Sequence, residues 1–386
     1  MNYTVTEEQK SLQERIARFC TEEIAPISLI LDNTASHGEG ARLVKDNIKK
    51  MARIGYLGLC HGTVYGGAGI SMVSQTIAGE ELAKACPATF YAADVSSRLF
   101  GTALELFGTK EQKERYLPGV IDGDIIGSFG MSDVNRDGNI FAEKRDNRWV
   151  INGNSTVVAN GSIAGLFIFI AQTGKGIGDD RSMTAFLIDA AGSGISIGEP
   201  YNNAGFRGLP IADITLKDCE ASEEYVLGGI DEGTHVLIAI QKIQNLGMAV
   251  CSLGISMACM QEAKQYFADM SDAEKTVRLS QSVSFKLADM MIMTDISRLL
   301  IHKAAWAMDV NDGEAAVLAS CANVFAGESA GAISGWLMNV EGSDGYKRGT
   351  MAEKLYRDAK FCEIGGGTAE YLRDFIGTDM LDRFKN

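Results

Sequence analysis

The sequence predicts a mainly α-helical chain with a β middle domain (α+β), and three observations carry that expectation. All five prolines (26, 87, 118, 200 and 210) fall in the first 210 of the 386 residues. The proline-free remainder suits long helices, because an internal proline removes a hydrogen bond and clashes with the preceding turn. Between about 123 and 229 the chain changes to short β-prone runs parted by Gly, Asn and Asp. On both sides of that stretch apolar residues recur at helical spacing. The expected organisation is an N-terminal helical domain over 1–122, a barrel-like β domain over 123–229 and a C-terminal four-helix bundle over 230–386.

The elements follow in order. Thr6 and Gln9 form a capping-box pattern, and Leu12, Ile16, Phe19 and Cys20 make one apolar stripe that Pro26 is expected to end. Helices are expected at 42–54, 72–85 and 91–107, with another opening at Thr109 to Gln112. Strands are expected at Arg148 to Asn152, Ser155 to Val158, Leu166 to Gln172, Met183 to Asp189 and Ala212 to Leu216, of which Phe167 to Ala171 reads as central. Four long helices then follow, at 234–269, 279–309, 314–340 and from about 350. Gly247 and Gly254, seven apart on the first of them, permit close approach of a neighbouring helix. No repeat of 20–50 residues is present, which excludes a solenoid.

Composition narrows the function. A net charge of −14 and a sequence pI near 4.9 argue against binding nucleic acid or an anionic membrane through bulk charge. No run reaches the ~18 uninterrupted apolar residues of a membrane helix, and the opening MNYTVTEEQK lacks a basic-then-apolar leader pattern. Eight scattered cysteines without a C-x-x-C pair read as reduced thiols of a cytoplasmic protein. The four histidines are widely spread, no G-x-S-x-G or H-E-x-x-H pattern occurs, no metal site is expected, and His302 reads as structural. Gly66-Gly-Ala-Gly69 lies between helices and reads as a turn. Gly365-Gly-Gly-Thr368, between two helices, reads either as an anion site at a helix N-terminus or as a tight interhelical turn.

Phe107-Gly-Thr-Lys-Glu-Gln-Lys-Glu-Arg-Tyr-Leu-Pro118 resembles the G-T-x-E-Q-K-x-x-Y-L-P of the acyl-CoA dehydrogenase superfamily, and Asn152-Gly153 resembles the N-G of its middle domain. Met351-Ala-Glu-Lys-Leu-Tyr-Arg-Asp-Ala-Lys360 is similar to its V-E-K-x-x-R-D-A-K, and Gly367-Thr-Ala-Glu370 to its G-T-x-E. The resemblance runs over nearly the whole chain. It implies the three-block fold just described, tetramers with FAD across a subunit interface, and a reaction in which a carboxylate takes the α-proton of an acyl thioester while the flavin takes a β-hydride.

Carried over residue by residue, the two positions that hold the base in relatives are Gln244, followed by Asn245, and Gly366. Neither is a carboxylate. Asp133 and Glu341 are the remaining candidates for that role. The resemblance assigns cofactor contacts to Met131, Ser132, Gln281, Gly342, Thr368 and Glu370. The family's flavin-stacking W-I-T corresponds to Val157-Val-Ala159, its R-x-x-F-G to Met270-Ser-Asp-Ala-Glu274, and its Gln before G-G-x-G to Asn339. Each charged hydrogen bond lost to the cofactor weakens it by about 1.5–3 kcal/mol. The resemblance therefore implies a flavin-dependent acyl-CoA or acyl-carrier-protein dehydrogenase with an electron-acceptor flavoprotein as partner. The alternatives are a non-catalytic subunit paired with a complete homologue, or a flavin enzyme of changed reaction type.

Overall fold

The computed structural model describes residues 5–34, 36–130, 140–174, 182–270 and 281–385. The N-terminal block opens with α1 (Glu7–Phe19), where Thr6 Oγ1 accepts from Gln9 N–H (3.2 Å) and Gln9 Oε1 accepts from Thr6 N–H (3.0 Å). Pro26 does not end this segment as expected. The chain passes through a π-helical turn at Cys20–Ile24 and continues as α2 (Ala25–Asn33), with Pro26 in its first turn, where the missing N–H has no intrahelical partner to lose. Helix α3 (His37–Arg53) starts earlier than expected because Ser36 caps it by accepting from Glu39 N–H. Then come α4 (Met72–Ala85) and α5 (Pro87–Ala93), a second π-helical turn at Asp94–Gly101, α6 (Thr102–Phe107) and α7 (Lys110–Ile121). The single helix expected over 91–107 is thus three pieces.

Among the described residues the middle block is an eight-stranded mixed sheet. Its strands are β1 (Gly127–Gly130), β2 (Phe141–Arg145), β3 (Arg148–Val158), β4 (Leu166–Gln172), β5 (Met183–Asp189), β6 (Ile195–Ile197), β7 (Ala212–Ser222) and β8 (Val226–Leu227). The order is β6-β7-β3-β2-β4-β5-β8, with β1 parallel beside β4. β4 is buried from Leu166 to Ala171, as its unbroken apolar run predicts. The two runs expected at 148–158 are one strand whose register shifts at Gly153 and before Val158. β1, β2, β6 and β8 escaped the sequence pattern because they are short and pair only by tertiary context.

The C-terminal block contains α8 (Gly233–Asp269), α9 (Gln281–Asp309), α10 (Ala315–Glu341), α11 (Met351–Cys362) and α12 (Ala369–Arg383). The helix expected from about 350 runs to Cys362 and a separate helix starts at Ala369, as the Gly365–Gly367 loop between them suggested; there Gly366 (φ +79°) and Gly367 (φ +123°) take backbone conformations that suit glycine. α8 and α10 are long and apolar enough by length and composition to cross a membrane, yet 67% and 50% of their apolar windows are buried inside the protein. Gly254 explains how α8 reaches the N-terminal block, since a Cβ there would stand 2.4 Å from Ala83 Cβ on α4.

Two sequence motifs fasten these blocks together. Arg357 donates to both Asp32 carboxylate oxygens (3.1 and 2.6 Å), to both Glu353 oxygens and to Ala204 O (3.1 Å). Asp358, fully buried, accepts from Phe206 N–H (2.6 Å) and pairs with Lys354 (2.5 Å). Gln112, in the other motif, donates to Glu224 O (2.8 Å) and Val226 O (3.0 Å), seating the sheet edge on α7. His302 is structural, with Nε2 2.7 Å from Oε1 of the buried Glu80, which also accepts from Arg298 Nε (2.9 Å).

Candidate functional site

Gln244 on α8 and Gly366 in the loop between α11 and α12 meet in space. A Cβ built on Gly366 would lie 3.1 Å from Met248 Cγ and 3.6 Å from Gln244 Nε2. Both residues are half-buried. Tyr91, one turn before Asp94, lies beside the Gln244 side chain, and burial raises its hydroxyl pKa. Its ring meets Phe361 edge-on (5.6 Å between centroids) and Phe206 likewise (6.4 Å), while Phe206 and Phe361 stack at 4.3 Å. Sequence reasoning placed Gln244 and Gly366 but missed this aromatic floor, whose members come from three distant segments. Only Asp94 and Arg98, two charges four residues apart in an apolar stretch, offered a local signal that the Tyr91 segment is specialised.

The Gly365–Thr368 loop has the features of an anion cradle. The N–H groups of Gly366, Gly367 and Thr368 have no acceptor within the described residues, and Thr368 Oγ1 caps α12 by accepting from Tyr371 N–H (3.4 Å). A 15-residue helix begins there, so unpaired donors and the positive end of its dipole coincide. Glu370 is exposed in the first turn; its own backbone N–H and the Thr368 hydroxyl hold its carboxyl below the usual range.

The other sequence-assigned residues are dispersed. Met131, Ser132 and Asp133 lie outside the described residues, as do residues 271–274. Gln281 is exposed at the start of α9, and Gly342 (φ +61°) terminates α10. Glu341 is buried beside Glu262 of α8, with Oε1 unpartnered; burial first, then the charges of Glu262 and Asp344, raise its carboxyl to about 7. Glu262 lies five turns beyond Gln244, about 27 Å at ~1.5 Å per residue. Glu341 is therefore not brought to Gln244 within one chain. At the flavin-stacking position Val157 is 51% exposed with φ +57°, its N–H bonded to Asp213 Oδ1 (2.9 Å). The Ala159 carbonyl accepts from Ser128 Oγ (2.7 Å), and Asn160 Nδ2 donates to Ala92 O (2.8 Å), tying this end of β3 to the helix that carries Tyr91. Among the described residues, no group of three or more His, Cys, Asp or Glu is placed to hold a metal ion.

Known proteins share this arrangement from end to end. Family models described as the N-terminal, middle and C-terminal domains of acyl-CoA dehydrogenase match residues 6–124, 130–219 and 231–381. A probable acyl-CoA dehydrogenase of Bacillus subtilis, YngJ, is 32% identical over 99% of this chain and 100% of its own length. The butyryl-CoA dehydrogenase of Megasphaera elsdenii superposes with a TM-score of 0.90 at 25% identity, covering 99% and 100% of the two chains. A chain from the structural work on the electron transferring flavoprotein of Acidaminococcus fermentans superposes at 0.91, with 25% identity and the same coverage. The helical block, the sheet and the bundle that together frame Gln244 and Gly366 are thus one inherited unit, and the chain belongs to the acyl-CoA dehydrogenase family.

Proposed function

We propose that the chain is an FAD-dependent oxidoreductase that introduces an α,β double bond into an acyl thioester carried by CoA or an acyl-carrier protein. The observation that supports it is the meeting of Gln244, Gly366 and Tyr91 beside unpaired N–H donors at the start of α12. Those donors fit the phosphates of FAD, with Gln281, Gly342 and Thr368 available to its polar edges; the exposed Val157 supplies no stacking ring. FAD held there would supply the acceptor for the hydride from Cβ. Gln244 and Tyr91 orient the thioester by hydrogen bonds, and Phe361 and Phe206 keep water from the floor. An amide has no useful basicity, so Gln244 positions the substrate without taking its proton. The reading therefore favours a thioester whose α-proton is already acidic, or a carboxylate from the 131–139 segment such as Asp133. Reducing equivalents leave through an electron-acceptor flavoprotein, and the setting is cytoplasmic.

A second copy, or a homologue, covers α9 in this reading. Phe285, Met291, Ile292, Ile296, Leu299 and Trp306 are all at least 36% exposed along that one helix, a larger apolar stripe than a monomer ordinarily shows. The absence of a carboxylate at both base positions also favours a second reading, in which the chain is a non-catalytic subunit of a mixed oligomer. The purified protein's visible spectrum, followed by a thioester panel with an artificial electron acceptor, separates the two. Bound flavin with turnover supports the enzyme, and a colourless chain that co-purifies with a complete dehydrogenase supports the subunit.

A further inference from the structure

We propose that Tyr91 closes the inner end of the site at Gln244 and Gly366, which restricts the chain to short-chain acyl thioesters. The inference deepens the reading of that site as one for an acyl thioester, and it rests on that reading. Tyr91 is 4% exposed and lies beside Gln244. One turn on along both elements, Asp94 stands against Gly247 of α8, where an added Cβ would meet Asp94 Oδ2 at 2.3 Å. The seam between the Tyr91 element and α8 is therefore filled directly inward of Gln244. Under the Gly365–Gly366 loop the space is filled as well. A Cβ on Gly365 would meet Met248 Cε at 2.9 Å and Phe361 Cε1 at 3.0 Å, and Met248 is fully buried.

The Tyr91 ring is braced from behind. It meets Phe361 and Phe206 edge-on, and those two rings stack on each other. Phe206 is 1% exposed, and its backbone N–H donates to Asp358 Oδ1 at 2.6 Å. The ring that backs Tyr91 is thus held by the same buried carboxylate that fastens the sheet block to α11. A ring packed in this way resists displacement by a ligand, because a close-packed interior has no free volume to receive it.

The surroundings past Tyr91 are hostile to an alkyl chain. Arg98 Nη1 donates to Asp94 Oδ1 at 2.7 Å, and with Gln75 the pair lines a cavity of about 10 Å3, room for one water-sized group. Among the described residues Asp94 Oδ2, Arg98 Nε and Gln75 Oε1 have no hydrogen-bond partner, and all three residues are at least nine-tenths buried. A methylene pushed among them would take the place of the water that can satisfy them and leave them unpaired. Gln244 and Gly247 are separated by about 4.5 Å at ~1.5 Å per residue, so the acyl group that fits above Asp94 is on the order of four carbons.

The test measures dissociation constants by calorimetry on the flavin-loaded full-length chain. The probes are acetyl, butyryl, hexanoyl and octanoyl thioesters of phosphopantetheine, the portion that CoA and an acyl-carrier protein have in common. The expected result is a fall in affinity of about tenfold or more between butyryl and hexanoyl. Tyr91→Ala should raise the affinity for octanoyl relative to acetyl by about tenfold or more, whereas Tyr91→Phe should keep the native ratio, since the ring and not the hydroxyl is the barrier. Tyr91→Leu, which shortens the side chain, carries the same expectation as Tyr91→Ala should that variant not fold. Equal affinity across the series in the native chain, or an unchanged ratio in a folded Tyr91→Ala or Tyr91→Leu variant, overturns the barrier and leaves the thioester reading in place. Binding of none of the four overturns the thioester reading and the barrier with it.

Discussion

The side chain of Gln244 fills the direction in which a side chain on Gly366 would point, with Nε2 3.6 Å from that position. The two positions to which the family resemblance assigns a base thus meet in space from two elements, and neither is a carboxylate in this chain.

Gln244→Glu should restore a base beside Tyr91 without changing shape. Turnover of a saturated acyl thioester, measured with an artificial acceptor on flavin-loaded protein, is expected to rise about 10²-fold or more. No rise in a folded, flavin-bound variant would remove Gln244 from the reaction.

Gly366→Glu should fail where Gln244→Glu succeeds. The φ of +79° costs an L side chain roughly 1–2 kcal/mol, and its Cβ would crowd Met248 Cγ at 3.1 Å. Thermal unfolding should show the loss, with no gain in turnover.

Gly254→Ala should destabilise by about 1–3 kcal/mol, because the added methyl meets Ala83 Cβ at 2.4 Å and its backbone carbonyl carbon at 2.5 Å. Denaturant titration reads this as a lower midpoint at unchanged slope. An unaffected midpoint would mean that α4 and α8 slide apart freely.

Arg357→Ala should cost about 3 kcal/mol by leaving the buried Asp32 without its fork. Arg357→Lys should recover little, since one ammonium cannot span Asp32 and Glu353 as two pairs of bonds. Both are read by denaturant titration.

Glu341 titrates in the opposite sense to an ion-paired carboxylate. Its folded value, about 7, lies above the ordinary 4.5, so its contribution is fully present below pH 4.5 and is lost as pH rises through 7. Glu341→Gln should leave stability unchanged near pH 4.5 and raise it on the order of 1 kcal/mol above pH 7, after discounting for solvent screening. Equal curves for variant and parent across that range would show that neither burial nor the charges of Glu262 and Asp344 raise it.

What the sequence made legible is local. Thr6 with Gln9 forms the capping box its spacing predicts, a helix opens at Thr109 as expected, and β4 and β5 run over the residues expected. Pro26 misled, because a proline in a helix's first turn and one beyond a helix's end look alike until the π-helical turn before it is seen. The floor of Tyr91, Phe206 and Phe361 was illegible because nothing local marks contacts between such distant residues. The Met351–Lys360 run was legible only as a resemblance; its Arg357 and Asp358 turn out to lock blocks together.

The positive φ of Gly366 has a genetic consequence. Gln and Glu codons differ by one nucleotide, so a carboxylate at 244 is a single genetic step away. At 366 a side chain has to bear the left-handed turn and the contact with Met248, so a carboxylate there carries a conformational cost that one at 244 does not. Of the two positions, the one on α8 is where a carboxylate can be gained with the least disturbance of the backbone.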